Sequence, residues 1–220
     1  MKSWLRFLAP HKTVPNTPWT GSHRWDLAPK RVLILCSALF IFGLGDSLLI
    51  ASNLGNAPWS VLAQGISSQL GISIGFATFL ISAMVLALWV PLKEKPGFGT
   101  VMNILIIASA IDIGLLVFPE PEALPIRLTF VLLGIAMVGM GSAFYITCGL
   151  GPGPRDGWMT ALHNRTGVRV GRVRLGIELM VLTLGWFLGG TVGLGTALFA
   201  LLIGNSVAIS FGVVSRLTAR

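Results

Sequence analysis

The sequence predicts an all-α transmembrane protein: a six-helix bundle of two inverted-topology three-helix repeats, each with a short re-entrant or interfacial helix. Three observations lead to this fold class: an apolar composition, six apolar segments of about membrane-spanning length, and a repeat of glycines and prolines. Of the 220 residues, 54% are hydrophobic and 11% are charged. A soluble domain is about one quarter charged, so the composition excludes an ordinary soluble enzyme.

Six apolar segments are predicted to cross the membrane, because a helix of about 20 mostly apolar residues spans roughly 30 Å of hydrocarbon. The fifth is the weakest, since Arg174 and Glu178 lie near its start, where long side chains reach the interface. The predicted spans are residues 31–52, 73–91, 99–118, 127–148, 174–190 and 194–214. The chain divides into a basic cytoplasmic tail (1–30), membrane repeat 1 (31–118), an outer linker (119–126), membrane repeat 2 (127–214) and a cytoplasmic C-terminus (215–220).

The basic residues predict that both termini lie in the cytoplasm. With the N-terminus inside, 15 of the 16 lysines and arginines fall on cytoplasmic segments, and Arg127 falls on the outer side. This is the bias that the positive-inside rule requires. Residues 1–30 are polar and rich in proline, which predicts a loosely ordered tail. The apolar stretch over 4–8 is too short for the core of a cleaved signal peptide.

An internal repeat emerges when the chain is aligned with itself at an offset of 96 residues, which pairs 31–114 with 127–210 without a gap. The identities fall on residues that shape the backbone rather than on the common leucines and valines. They include Gly43 with Gly139, Gly45 with Gly141, Gly55 with Gly151, Pro58 with Pro154, Gly71 with Gly167 and Gly75 with Gly171. Each unit crosses the membrane an odd number of times, so the second is predicted to lie inverted, as in many secondary transporters.

Each unit also carries a short helix between its first and second spans. A glycine-containing turn precedes Pro58 in the first unit and Pro154 in the second, and proline favours the first position of a helix. The predicted short helices cover 57–70 and 154–166. The first would reach about 21 Å at 1.5 Å per residue, too little to cross the bilayer. These helices either re-enter the membrane or lie on its surface.

The starts of the two short helices predict a central solute site. A helix N-terminus exposes unpaired N–H groups and carries partial positive charge, so two such ends favour an anionic group. Arg155 adds a fixed cation with a planar set of donors. The predicted substrate-binding residues are Pro58, Trp59, Pro154, Arg155, Asp156 and Trp158. An alternative stays open, in which the glycines and prolines serve helix packing and Arg155 is one more cytoplasmic charge.

Three further acidic residues are predicted to lie within the membrane: Asp46, Asp112 and Glu178. Burial of a carboxylate in lipid is costly, which makes each a candidate for coupling transport to an ion. Asp46 and Asp112 fall at a similar depth in the outer half, where they would share a proton or bind a cation. The alternative for Asp46 is a cap on the helix that begins near Pro58. The alternative for Glu178 is an ion pair with Arg174.

Other chemistries lack a motif in the sequence. Cys36 and Cys148 form no CxxC or cysteine–histidine cluster and the histidines are scattered, so neither a disulfide framework nor a metal site is predicted. There is no Ser/His/Asp set and no phosphate-binding loop, so we expect neither enzyme activity nor a cofactor. The net charge of +8 does not indicate nucleic-acid binding, because the basic residues lie between apolar segments.

The second unit carries a motif that resembles a known family. It reads Gly-Pro-Gly-Pro-Arg-Asp-Gly-Trp-Met over 151–159 and is followed by Arg174, Glu178 and Gly-Leu-Gly-Thr over 193–196. This pattern is similar to that of the YczE-like bacterial integral membrane proteins, with YitT-type proteins as a looser comparison. The resemblance covers residues 31–214 and implies a multi-pass protein of the bacterial plasma membrane.

These observations favour a transporter or permease for a small solute, working by alternating access between two inverted halves. An anion is one option for the solute, since the predicted site is electropositive. The expected partners are membrane lipids, the solute, and a second copy or another membrane protein, without nucleic acid. A second interpretation stays open: a non-transporting accessory or regulatory protein that contacts lipids or a membrane partner. An enzyme acting on lipids is a third and weaker option.

Overall fold

The computed structural model describes residue 10 and residues 13–218, and the regular secondary structure in this part is helical, as the sequence predicts. The predicted tail (1–30) and C-terminus (215–220) therefore lie partly outside the described residues. No strand occurs in the range that the structure describes. Its helices are α1 (Pro29–Ala51), α2 (Pro58–Leu70), α3 (Ile74–Ala87), α4 (Phe98–Val117), α5 (Leu124–Thr147), α6 (Pro154–Thr166), α7 (Val170–Phe187) and α8 (Leu194–Thr218).

Within the described residues, four helices are long and apolar enough to cross a membrane, namely α1, α4, α5 and α8. The pair of α2 and α3, bent by 114°, raises the number to five if it counts as one broken span. At 14 residues α3 is shorter than the predicted span over 73–91, because the chain turns after Ala87. Charges at Arg172, Arg174 and Glu178 lower the hydropathy of α7. The six-span topology therefore stays a prediction.

The predicted short helices are present as α2 and α6. Each begins with its proline, whose missing N–H is not needed in the first turn. Each ends at a glycine with left-handed backbone, Gly71 at φ 63° and Gly167 at φ 70°, a conformation that glycine adopts without strain. The hydroxyl of Ser73 accepts a hydrogen bond from the Phe76 N–H over 3.1 Å and so starts α3 directly after α2.

The local structure repeats at the same offset as the sequence. The positions at which α2, α3 and α4 begin are each 96 residues before the positions at which α6, α7 and α8 begin. The turns before the short helices repeat too, with a φ of 106° at Gly55 and of 109° at Gly151. The two halves of the described chain therefore share backbone conformation as well as residue identities.

Helix α1 of the first half and helix α5 of the second half pack closely against each other. A Cβ atom at Gly45 would lie 2.8 Å from the Gly134 carbonyl oxygen, and one at Gly141 would lie 2.6 Å from the Ala38 carbonyl oxygen. Residues late in α1 thus face residues early in α5, so the two helices run antiparallel. The glycines allow the close backbone approach that is typical of packed membrane helices.

Two equivalent hydrogen bonds join the halves. The Gly99 N–H donates to the Leu150 carbonyl oxygen over 2.8 Å, and the Gly195 N–H donates to the Leu54 carbonyl oxygen over 2.7 Å. Each residue of one bond is the repeat counterpart of a residue in the other. Leu54 follows the end of α1 and Leu150 follows the end of α5. Because these helices are antiparallel, the two bonds lie at opposite ends of the bundle.

The halves differ in how their last two helices pack. In the first half α3 packs on α4, and a Cβ atom at Gly75 would overlap the carbonyl oxygen of Ala108. In the second half α7 and α8 scarcely touch, and a Cβ atom at Gly171 or Gly204, the repeat counterparts, would meet no atom within 4 Å. Accordingly 17% of the most apolar stretch of α8 is buried, against 39% in α4.

The described part of the N-terminal segment is docked on the bundle, which corrects the expectation of a loose tail. The Trp19 Nε1 donates a hydrogen bond to the Thr147 hydroxyl over 3.1 Å. The Gly21 N–H donates to the Cys148 carbonyl oxygen over 2.8 Å. The reason is that the last carbonyl groups of α5 have no partner within the helix, and the segment supplies donors for them.

Candidate functional site

A cavity of about 190 Å³ lies between the two short helices and the central helices α1 and α5. It is termed the central cavity below. The start of α2 lines it through Ala57, Pro58 and Trp59, and the start of α6 lines it through Gly153, Arg155 and Asp156. Its other polar lining residues are Asp46, Thr78, Ser82, Asn103, Ser142, Tyr145, Arg174 and Glu178. Six of the nine predicted site residues thus line one cavity.

Both short helices present unpaired N–H groups in their first turns. Neither has a side chain that caps its N-terminus. Among the described residues no group accepts a hydrogen bond from the backbone N–H of Trp59 or Ser60 in α2, nor from that of Arg155 or Asp156 in α6. Such donors, together with the positive end of the helix dipole, make each start a favourable place for an anionic group.

Arg155 connects the two short helices. Its guanidinium carbon lies 4.9 Å from the ring centroid of Trp59, a cation–π contact that is worth about 0.5–2 kcal/mol. In the described part of the chain no carboxylate pairs with this guanidinium and no acceptor takes a hydrogen bond from it. The half-buried side chain therefore keeps its donors available to a solute.

Asp46 lines the cavity from α1 and is 3% exposed. No hydrogen-bond donor and no ion-pair partner for it occurs among the described residues. Helix α2 starts after Ala57 without a side-chain cap, so the alternative in which Asp46 caps that helix is wrong. A buried carboxylate without a partner is rare and is a candidate for binding a cationic group or a proton.

The other two acidic residues of the cavity have partners. The Tyr145 hydroxyl donates a hydrogen bond to Asp156 Oδ2 over 2.9 Å. The Arg174 Nε donates to Glu178 Oε1 over 2.8 Å, which is the ion pair across one helical turn that the sequence offers as an alternative. Tyr145 holds the first turn of α6 against α5, and Arg174 neutralises Glu178 on α7.

Asp112 does not line the central cavity. Its carboxylate accepts a hydrogen bond from the Ser73 hydroxyl over 2.6 Å and another from the Gly75 N–H over 2.8 Å. These contacts tie the start of α3 to α4. The structure therefore does not bring Asp112 and Asp46 together, and the observed role of Asp112 is to cap a helix.

Two more predicted residues support the site without lining it. The Pro154 carbonyl oxygen accepts a hydrogen bond from Trp89 Nε1 over 3.0 Å, which fixes the start of α6. Trp158 packs against the apolar cluster that contains Trp59 and Met159. Both residues therefore help to position α6, and neither lines the cavity.

Sequence reasoning missed the polar lining that lies within apolar helices. Tyr145, Asn103 and Ser142 all line the central cavity from predicted spans. The available signal was that polar side chains within a span turn toward protein rather than lipid. As to metals, the described residues contain no group of three or more His, Cys, Asp or Glu side chains that could hold an ion.

Comparison with known proteins finds similar chains. Residues 29–211 match the profile of a family of unknown function, DUF6198. The chain is 43% identical over 206 residues to an uncharacterized protein of Haemophilus influenzae (strain Rd), covering 94% of each chain. It is 31% identical over 170 residues to the uncharacterized membrane protein YczE of Bacillus subtilis (strain 168), covering 76% of this chain and 79% of that one.

A second protein of Bacillus subtilis (strain 168), the uncharacterized protein YyaS, is 26% identical over 182 residues, which are 81% of this chain and 90% of that one. No solved structure matches the chain. The matched region begins at the first residue of α1 and reaches into α8, so it includes both short helices and the whole central cavity.

Proposed function

The chain belongs to the family of unknown function DUF6198, that of the YczE-like membrane proteins, and from this premise we propose that it transports a small solute by alternating access. In this proposal the central cavity is the solute site, and two inverted halves take turns in closing it. The protein lies in the bacterial cell membrane with both termini in the cytoplasm. No chemical step is involved.

The inverted arrangement is supported by the contacts between the halves. Helices α1 and α5 are repeat counterparts and run antiparallel. The hydrogen bonds Gly99–Leu150 and Gly195–Leu54 are equivalent and lie at opposite ends of the bundle. A pseudo-two-fold axis that lies in the membrane plane would relate such halves, as in transporters whose sites lie at the interface between inverted repeats.

The observation that carries the proposal is the different packing of equivalent helix pairs. A glycine inside a helix costs about 1 kcal/mol relative to alanine, so it usually has a packing reason. Gly75 in α3 has one, since it contacts α4 closely at Ala108. Gly171 and Gly204 have none in this arrangement. A second arrangement, in which α7 packs on α8 as α3 packs on α4, would supply the reason.

The proposed orientation determines to which side of the membrane the cavity opens in each arrangement. With the termini in the cytoplasm, the packed contact between Gly75 and Ala108 belongs to the outer half and the gap between Gly171 and Gly204 belongs to the inner half. The present arrangement would then be closed to the outside and open to the inside. Closure of α7 on α8 with release of α3 from α4 would open the cavity to the outside.

A cysteine cross-linking experiment tests this movement without knowledge of the solute. In a Cys36→Ala, Cys148→Ala background, we expect the pair Gly171→Cys and Gly204→Cys to form an intramolecular disulfide in membranes under mild oxidation. The expected reason is that α7 and α8 meet at these positions in the outward-open state. The measurement is a mobility shift of the monomer on a non-reducing gel.

A matched control pair is Gly171→Cys with Leu201→Cys. Leu201 is 73% exposed on α8, and its repeat counterpart on α4, Leu105, is exposed as well. Closure through the Gly204 face would leave the control pair apart. Equal cross-linking of both pairs, or none in either, would contradict the movement and with it the transport proposal.

One observation favours the alternative function, a non-transporting accessory or regulatory protein. Large apolar side chains along α7 and α8 are exposed, among them Leu175, Leu179 and Leu201. A helix of another membrane protein, or of a second copy, would cover this face. In that case the Gly171→Cys, Gly204→Cys pair would give intermolecular dimers, or a co-purifying partner would protect both cysteines, and no monomeric disulfide would form.

A further inference from the structure

Most ionisable side chains of the central cavity are paired with one another. Tyr145 donates a hydrogen bond to Asp156, and Arg174 pairs with Glu178. Two groups of opposite charge are left over, the Arg155 guanidinium and the Asp46 carboxylate. They line the same cavity and lie too far apart to form an ion pair. Asp156 keeps its negative charge, since a neutral hydroxyl does not neutralise it, but Arg155 and Asp46 have neither a hydrogen bond nor an ion pair among the described residues. They are termed the positive pole and the negative pole of the cavity.

The positive pole holds more donors than the guanidinium. The indole Nε1 of Trp59 is buried without a hydrogen-bond partner, on a side chain that is 7% exposed and lines the cavity. The first-turn N–H groups of α6 lie at the same end of that helix as Arg155. A carboxylate or phosphate there would satisfy donors that the protein leaves open.

The negative pole is the Asp46 carboxylate. It is 3% exposed and receives no hydrogen bond from the described residues. A buried ionised carboxylate is strongly unfavourable unless a positive group pairs with it. Arg155 is too distant for direct contact, so a cationic group held between the two poles would satisfy Asp46 best.

The geometry points to a compact zwitterion as the solute, with its carboxylate or phosphate on Arg155 and Trp59 and its ammonium on Asp46. This inference rests on the proposed transport function and specifies its substrate class. A volume of about 190 Å³ is many times the roughly 10–15 Å³ that a single water needs, which suits a molecule of amino-acid size. Phe199, Ile203 and Val207 on α8 offer an apolar wall for a hydrocarbon part.

The same chemistry occurs in two sources, a free zwitterion in water and the headgroup of a zwitterionic lipid. Because α7 and α8 scarcely touch, a lipid headgroup is expected to enter the cavity between these two helices. The experiment therefore has two arms. In the first, L-leucine, taurine or phosphoethanolamine is added to protein in detergent. In the second, the protein is placed in nanodiscs of phosphatidylethanolamine or of phosphatidylglycerol.

The readout is the thermal unfolding temperature as a function of probe. We expect at least one free zwitterion to raise it saturably, or phosphatidylethanolamine to raise it above phosphatidylglycerol. The analogues 4-methylpentanoate, 3-methylbutylamine and ethyl phosphate, each of which carries charge of one sign only, should have no comparable effect. Either positive arm supports the inference and identifies the source, and no shift from any probe overturns it.

Substitutions at Asp46 and Arg155 test whether each residue binds the probe. Asp46→Asn and Arg155→Gln should each raise the half-maximal probe concentration by about tenfold or more, because each removes a charge-assisted hydrogen bond. Asp112→Asn is the matched control, since this carboxylate lies outside the cavity. If one pole variant does not fold, the other carries the test. An unchanged half-maximal concentration in a folded pole variant would overturn the inference.

The outcomes separate this inference from the function on which it rests. Stabilisation by 4-methylpentanoate as strong as that by L-leucine, unchanged in Asp46→Asn, would leave an anion transporter and remove the zwitterion. Failure of the Gly171→Cys, Gly204→Cys cross-link would remove alternating access, whatever the probes do.

Discussion

Asp26 fixes the docked N-terminal segment just before α1. Its Oδ2 accepts hydrogen bonds from the Ser22 N–H over 3.1 Å and from the Ser22 hydroxyl over 2.9 Å. Its Oδ1 pairs with Arg31. The Ser22 hydrogen bonds, and after them Arg31, lower the pKa of Asp26 below its ordinary value of 3.8.

The docking of this segment is therefore predicted to depend on pH. A lowered pKa in the docked state means that ionised Asp26 stabilises docking above about pH 3.8, and that this contribution is lost as the pH falls through the lower, docked-state value. Pepsin cleavage within residues 17–26, expressed as the ratio of Asp26→Asn to wild type, should be high at pH 4 and fall toward one at lower pH. A ratio of one throughout would contradict this role.

Some residues of the central cavity could be predicted from the sequence, and others could not. Arg155, Asp156, Pro58 and Trp59 were predictable, because the glycine–proline turns mark helix starts and the repeat pairs them. The sequence predicts that Asp112 lies beside Asp46, because both residues fall at a similar depth. Depth along a helix does not tell which face of the helix a residue occupies. The distinction depends on packing between elements, which no local pattern records.

At the scale of elements, the cap on α3 is the clearest difference between the halves. Asp112 ties the Ser73 hydroxyl and the Gly75 N–H to α4. The repeat counterparts of Ser73 and Asp112 are Arg169 and Ala208, so α7 has no such cap. The first half thus carries a polar latch, and the second half does not.

Removal of this latch should shift the balance between the two proposed arrangements of the helix pairs. Asp112→Ala deletes a cap worth about 0.5–2 kcal/mol, which destabilises the packed α3–α4 pair. We expect a lower unfolding temperature and a higher yield of the Gly171→Cys, Gly204→Cys disulfide. Asp112→Asn, which keeps an acceptor, should change both less. A lower unfolding temperature with an unchanged disulfide yield would make the cap purely structural.

The bounds of the short helices followed from the sequence more closely than those of their neighbours. Proline at the start and glycine at the end define α2 and α6 within a residue. The predicted span over 73–91 is longer than α3, because hydropathy continues through the turn after Ala87 although the helix does not. Apolar character indicates where a chain is buried, and hydrogen bonding decides where a helix stops.

At the scale of the whole molecule, the proposed orientation makes a prediction about sidedness. Arg165 Nη1 donates a hydrogen bond to the Pro91 carbonyl oxygen over 2.8 Å, so the turn that contains Lys93 and the last turn of α6, which contains Asn164, lie at the same end of the bundle. In the Cys36→Ala, Cys148→Ala background, Lys93→Cys and Asn164→Cys should react with an impermeant maleimide in inverted vesicles. Glu122→Cys, in the outer linker, should react in right-side-out vesicles.

Accessibility of Lys93→Cys and Asn164→Cys from opposite sides would end the inverted plan. The repeat predicted the equivalence of the halves at this scale, since the glycines and prolines impose the same turns twice. It did not predict that α3 packs on α4 while α7 stays apart from α8. Equivalent sequences permit both packings, and their free energies differ by interactions such as the Asp112 cap.

The reciprocal bonds Gly99–Leu150 and Gly195–Leu54 carry a consequence for the origin of the chain. Half of the molecule on its own would leave one amide and one carbonyl without partners at its edge. Two copies inserted in opposite directions would complete each other through the same pair of bonds. Under the proposed inverted arrangement, a gene of half this length that encodes a homodimer with its two copies in opposite orientations is a sufficient ancestor, and its fusion would fix one orientation for each copy.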